Sequence, residues 1–248
     1  MSGHSHFATI KRQKGIKDAA KGQIFSKMSR AISIAVKLGG GSDPDSNYKL
    51  RMAVDAARTV NMPKDNIQRA INKASEEGDL EQVLYEGFAP GGVAVIVDVA
   101  TNNRNRTGQE MKNVFEKNGG TLGGPGSVAY NFETKGLIIV EISENKDSQM
   151  LSLIDCGAED IQEEQDGIEV YTSIDKMQQL KEVIEQKAGK VKSAQIIQKP
   201  INLVEITNAN LAGKIINFLE KLDELEDVVQ VYANMDIPKE ILIQLQAS

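Results

Sequence analysis

The 248-residue chain is 40% hydrophobic and 26% charged, close to the average of folded soluble domains, which argues against wholesale disorder and fibrous architecture. No stretch approaches the roughly 18 consecutive apolar residues of a spanning helix, and the opening MSGHSHFATIKRQKG has no secretory apolar run, so a cytoplasmic address without membrane contact is expected. The net charge of −6 hides an asymmetry: residues 1–74 hold 14 Lys and Arg against 5 Asp and Glu, whereas residues 75–248 hold 15 against 30, the pattern of a basic unit that meets a polyanion while the rest stays soluble.

At about 150 residues per domain the length suggests two or three units. In the first, Ile24, Met28, Ala31, Ala35 and Leu38 recur at helical spacing, and Gly39, Gly40 and Gly41 end that helix. Asp45 or Ser46 is the expected cap of a second helix carrying Leu50, Ala53, Val54 and Ala57. Pro63 suits the first turn of a third, with Ile67, Ala70, Ile71 and Ala74 as its stripe. Beyond Gly78 strands alternate with helices: a strand at 92–100, a helix at 107–118 and a strand at 127–132. Then come strand 137–142, helix 147–155, strands 159–164 and 168–172, helix 175–187 and strand 191–198, and finally strand 202–206, helix 209–222 and strand 228–232.

The middle set is the β-α-β-β-α-β order of a ferredoxin-like sandwich. Its flanking units each supply half of another. The expected fold is therefore a multidomain α and α+β chain, with an N-terminal three-helix domain (1–78) and two ferredoxin-like α/β sandwiches, one (135–200) inserted into the other (79–134 and 201–248). The joints are expected at Glu133 to Gly136 and Lys199 to Pro200, and the 92–100 strand is expected beside 202–206 or 228–232.

The basic segment is the clearest chemical signal. Lys11, Arg12, Lys14, Lys17 and Lys21 are followed by Lys27 and Arg30 on the first helix and by Arg51, Arg58, Lys64, Arg69 and Lys73 on the next two. Dispersed cations suit a phosphate backbone, because each contact releases condensed counterions; ordinary solvated faces are the bland alternative. In NNRNRT (102–107), Arg104 and Arg106 stand where a strand gives way to a helix. They read either as a second anion site or as a solvated loop capped by Thr107. Aromatic residues make up 4% of the chain, and no aromatic motif for stacking on single-stranded bases is present.

The glycine-rich pieces APGGVAV and NGGTLGGPGS match neither phosphate-loop nor dinucleotide fingerprints and read as turns. His4 and His6, with Cys156 the only cysteine, cannot assemble a closed zinc site or a catalytic triad on the folded body. No cofactor, metal or enzymatic activity is expected. Cys156 reads as a small buried thiol. The acidic run Glu159, Asp160, Glu163, Glu164, Asp166 and Glu169 has no balancing base within it and reads as a solvated sheet edge.

The stretches GHSHFATIKRQKGIKDAAKGQIFSK (3–27), GGGSDPDSNYKLRMAVDAA (39–57), NMPKDNIQRAI (61–71), YEGFAPGGVAVIV (85–97), NRNRT (103–107) and GGPGSVAYNF (123–132) resemble the YebC/PmpR family along the whole chain. Its mitochondrial relatives are translational activators of cytochrome c oxidase. The resemblance implies a helical N-terminal domain followed by two α/β domains. It implies a DNA-binding transcriptional regulator or, alternatively, a translation factor at the ribosome that contacts ribosomal RNA and relieves stalling on proline runs. By resemblance a nucleic-acid role falls on Lys11, Lys14, Lys17, Lys21 and Lys27, and on Arg104 and Arg106. The chain departs from the family in having His6-Phe7 in place of Lys-Trp, and Lys21-Gly22 in place of Arg-Gly, which removes a bidentate guanidinium there.

Overall fold

A computed structural model describes residues 18–76, 80–164 and 167–246. Apolar residues three and four apart fold the first unit into α1 (Asp18–Leu38), α2 (Tyr48–Thr59) and α3 (Lys64–Glu76). Ile32, Ala35 and Val36 meet Leu50, Val54 and Ala57 and the α3 stripe Ile67, Ala70, Ile71 and Ala74 in one core, with Phe25 and Met28 at its margin. The stripe on α1 is rotated from the expected one: Leu38 is exposed and Ala31 half-buried.

The cap of α2 is neither Asp45 nor Ser46 but Asn47, whose side-chain oxygen accepts from the Leu50 N–H at 3.0 Å. Its amide donates to the Ala35 and Gly41 carbonyls, both at 2.7 Å, so one buried residue starts α2 and closes α1. A Cβ on Gly39 would lie 2.1 Å from the Asn47 side-chain oxygen, which is why the turn begins on glycine. Pro63 stands immediately before α3, its carbonyl accepting from the Ile67 N–H at 3.1 Å.

The first sandwich contains β1 (Glu81–Phe88), β2 (Ala94–Thr101), α4 (Arg104–Lys117) and β3 (Thr121–Leu122). It is completed from the far end of the chain by β8 (Val204–Glu205), α7 (Ala209–Asp223), β9 (Val228–Ala233) and β10 (Met235–Asp236). The sheet order is β3-β1-β2-β9, with β2 antiparallel to β9 through Val95↔Ala233 and Val97↔Val231. The 92–100 strand thus finds 228–232; the 202–206 segment shortens to β8, which pairs in parallel with β10 outside that sheet. Strand β1 was not expected, because EQVLYEGF mixes two acids and a glycine into its alternation. A short helix α8 (Lys239–Gln246) follows.

The inserted sandwich comprises β4 (Phe132–Val140), α5 (Lys146–Asp155), β5 (Asp160–Glu164), β6 (Gly167–Thr172), α6 (Met177–Lys187) and β7 (Val191–Pro200). Its order β5-β6-β4-β7 is the ferredoxin-like arrangement. The strand expected at 127–132 is instead a 3-10 turn at Ala129–Asn131 leading into β4. The expected division between residues 134 and 135 falls within β4, which pairs with β7 unbroken from Phe132↔Pro200 to Ile139↔Ser193; we propose to place it at residue 131.

In both sandwiches the helices cover one face. Val95, Val97 and Val99 pack with Met111, Phe115 and Phe218 in the first, and Ile138, Val140 and Val170 with Leu153 and Ile184 in the second. The other faces meet: Ala94, Ile96 and Tyr232 pack with Phe132, Leu137, Tyr171 and Ile197. Strand β2 is therefore buried on both sides, the reason its sequence is apolar from Ala94 to Ala100 except at Asp98.

The acidic run borders the edge strand β5, but it does have bases, supplied from elsewhere in the chain. Lys135 meets Glu159 at 2.9 Å, Lys199 meets Asp160 at 2.6 Å and Lys146 meets Glu163 at 2.9 Å. Glu169 is buried and accepts the Tyr171 hydroxyl at 2.5 Å; Asp166 lies outside the described residues. Cys156 is half-buried rather than buried.

Candidate nucleic-acid interface

Lys11, Arg12, Lys14 and Lys17, like His4 and His6, lie outside the described residues. Lys21 lies on α1. Lys64, Arg69 and Lys73 are exposed along α3, and among the described residues Arg69 has no ion-pair partner. Arg58 is exposed and paired with Asp55 at 3.1 Å. Arg51 turns inward to the connecting loop, donating to the Pro44 and Asp45 carbonyls at 3.0 and 2.7 Å. Arg104 is exposed at the start of α4, and its carbonyl accepts the Tyr85 hydroxyl at 3.3 Å.

Lys27, Arg30 and Arg106 bind anions, but the protein's own. Lys27 pairs with Asp223 at the end of α7. Arg30 donates to the Ala100 carbonyl at 3.0 Å and pairs with Glu226 at 2.9 Å and Asp227 at 2.8 Å. Arg106 reaches the second Asp227 oxygen at 2.8 Å. That oxygen also accepts the Thr107 hydroxyl at 2.5 Å and the Thr101 hydroxyl at 3.2 Å.

Asp227 is 1% exposed. Burial by itself would raise its pKa; the hydrogen bonds from Thr107 and Arg106 and the charges of Arg30 and Arg106 outweigh it and hold the carboxyl below the usual carboxylate range. The result is an ionic joint fastening α1 and the start of α4 to the turn before β9. The helical unit has a second footing, on the inserted sandwich: Tyr48 and Met52 of α2 pack at the edge of its core, and Lys181 of α6 meets Asp55 at 3.4 Å.

The two readings of NNRNRT are thereby resolved in part. Asn103, not Thr107, caps α4, accepting from the Arg106 N–H at 3.1 Å, and the helix begins at Arg104 rather than at 107. Thr107 is buried inside it, serving Asp227. Sequence reasoning missed Asp223, Glu226 and Asp227; the only signal was their density in DELED, residues 223–227, which any exposed helix end also shows.

Beside this joint an open groove of about 830 Å3 separates α1 and α3 from the first sandwich. Its cations are Arg30, Arg69 and Lys73, its neutral polar groups include Ser26, Ser29, Ser33, Asn66 and Asn102, and Glu226 is its one acid among the described residues. Hydroxyls, amides and cations with a single carboxylate are a lining suited to an anionic, hydrogen-bonding ligand.

Residues 5–77 match the TACO1/YebC protein N-terminal domain, and residues 80–235 match the TACO1/YebC second and third domain. A probable transcriptional regulatory protein of Syntrophomonas wolfei is 42% identical over 251 residues, covering 99% of this chain and 100% of that one. A protein of the same name from Aquifex aeolicus is 46% identical over 246 residues, covering 98% of each. The crystal structure of a conserved hypothetical protein from Aquifex aeolicus superimposes with a TM-score of 0.81 at 45% identity, covering 91% of this chain and 94% of that one. With both domain descriptions matched in order over nearly the whole length, the chain belongs to the TACO1/YebC family.

Proposed function

We propose that the chain is a non-enzymatic, DNA-binding transcriptional regulator that grips the phosphate backbone of a duplex through its basic helical unit, with the two sandwiches as scaffold. The observation that carries this reading is the segregation of charge. Lys64, Arg69 and Lys73 are exposed along α3, whereas acids of the first sandwich hold Lys27 and Arg30 at the joint. A duplex approaching from the α3 side meets exposed cations; the acidic body repels it from other directions. The names of the relatives, probable transcriptional regulatory proteins, agree with this reading.

The test is a titration of labelled promoter-length duplex with the full-length protein at several salt concentrations, run beside co-sedimentation with salt-washed ribosomes. Duplex binding is expected, and in the Lys64, Arg69, Lys73→Ala triple variant the slope of log K against log salt should fall by up to about 2.7, at roughly 0.9 per phosphate contact. Retention on ribosomes with no duplex binding would replace DNA by ribosomal RNA as the target.

A further inference from the structure

The groove beside the ionic joint is built from two matched helix faces. On α1, Ser26, Ser29, Arg30 and Ser33 follow the i, i+3, i+4, i+7 spacing of one face; on α3, Asn66, Arg69, Ala70 and Lys73 follow the same spacing. Seven of these eight side chains are polar or charged, although the apolar stripes of the same helices already complete the core of the unit. Ser33 is buried, at 7% exposure, in the wall of the groove.

Size limits what the groove accepts. Its volume falls within the range of clefts that hold small ligands, too small for a duplex. The face from Ser26 to Ser33 is about 10 Å long at 1.5 Å per residue. That matches the axial length of about three stacked nucleotides at 3.4 Å each. Serine hydroxyls and asparagine amides donate to phosphate oxygens and base edges alike, and the cations of α3 supply the countercharge.

Glu226 determines how a phosphate enters. It is 84% exposed and holds one terminal nitrogen of Arg30, Nη2, at 2.9 Å. The other, Nη1, stays on Asp227 at 2.8 Å and on the Ala100 carbonyl at 3.0 Å. A phosphate can therefore take Nη2 from Glu226 without undoing the joint.

We propose that this groove binds an unpaired nucleic-acid segment of about three nucleotides, its phosphates on Arg69, Lys73 and Nη2 of Arg30, with Glu226 as a built-in competitor that the strand displaces. The proposal rests on the reading above only in taking a phosphodiester as partner. It adds a single-strand site whose affinity the protein's own carboxylate restrains.

The test measures fluorescence anisotropy of labelled hexathymidylate and hexauridylate with the full-length protein at low ionic strength. Glu226→Gln should tighten binding by about threefold, the worth of one exposed competing charge. Glu224→Gln removes the same charge two residues away, at a side chain that pairs with Lys221 rather than Arg30, and should leave the affinity closer to wild type. Arg69→Ala should weaken binding by about tenfold, the scale of a charge-assisted phosphate contact. Preference for one hexanucleotide tells whether the thymidine strand or the uridine strand, which differ in the 2′-hydroxyl and the base methyl, is the better ligand. Equal tightening by both glutamine variants, or an Arg69→Ala protein that binds as wild type does, overturns the proposal. Duplex binding that persists under that outcome leaves the regulator reading standing; hexanucleotide binding that follows the expected pattern without duplex binding does the reverse.

Discussion

Arg30 of the first helix and Asp227 of the turn before β9 face each other at 2.8 Å across the seam between the helical unit and the first sandwich. Because Arg106 closes on the other oxygen of the same carboxylate, one nearly inaccessible acid holds two arginines from distant parts of the chain. The cores on either side of this seam are separate apolar clusters, so its chemistry is ionic.

Replacing Asp227 with Asn keeps the shape and removes the charge. Breaking a fully buried pair costs about 3–5 kcal/mol, and because Arg30 and Arg106 keep partial solvent access the expected loss here is nearer 2 kcal/mol. Thermal unfolding followed by circular dichroism should show an earlier midpoint, and an unchanged midpoint would mean that the joint does without the carboxylate.

Acid should loosen the same joint. The folded carboxyl titrates below its ordinary value, so its contribution is fully present above the unfolded pKa of about 3.9 and fades as pH falls through the folded value. The stability gap between wild type and Asp227→Asn should be constant from neutral pH to about pH 5 and narrow below about pH 4. A gap that narrows on the alkaline side instead would reverse the assignment.

Glu86 organises the turn that leads into the inserted sandwich. Its carboxylate accepts the N–H groups of Gly126, Val128 and Ala129 at 2.7, 2.8 and 2.9 Å. Burial pushes its pKa up, but the three hydrogen bonds prevail and hold it below the usual glutamate value. Glu86→Gln exchanges one acceptor oxygen for a donor and should cost about 1–2 kcal/mol. Hydrogen exchange at those three amides should accelerate first; protection equal to wild type would count against the clamp.

Family resemblance assigns a nucleic-acid role to Lys11, Lys14 and Lys17, and we propose that they act by charge. Changing all three to Ala should lower the salt slope of duplex binding by about 2.7 while the unfolding midpoint stays nearly unchanged. Unaltered affinity would remove the N-terminal segment from the interface.

Much of the architecture is written in short-range pattern. The α3 stripe of Ile67, Ala70, Ile71 and Ala74 is buried as its spacing requires, and the β-α-β-β-α-β order of the inserted sandwich appears as its periodicity implies. Counting half-sandwiches on either side of that insertion places β2 beside 202–206 or 228–232, and the fold selects β9 of these two. Local pattern failed where a residue's role depends on a distant partner. EQVLYEGF forms β1 because β2 and β3 lie ready to pair with it, and β4 begins at Phe132 because Pro200 and Lys199 continue the ladder opposite.

The candidate site divides in the same way. The sequence by itself determined that the cations concentrate in the first 74 residues and the acids in the remainder, because charge is a property of composition and needs no fold. Only the tertiary structure decided which cations are spoken for. Lys27, Arg30 and Arg106 look as available as Arg69 in the sequence, yet Asp223, Glu226 and Asp227 lie against them. The electrostatic energy of a pair depends on the distance between its charges and on how much water separates them, and both are fixed only when residues far apart in the chain are folded together.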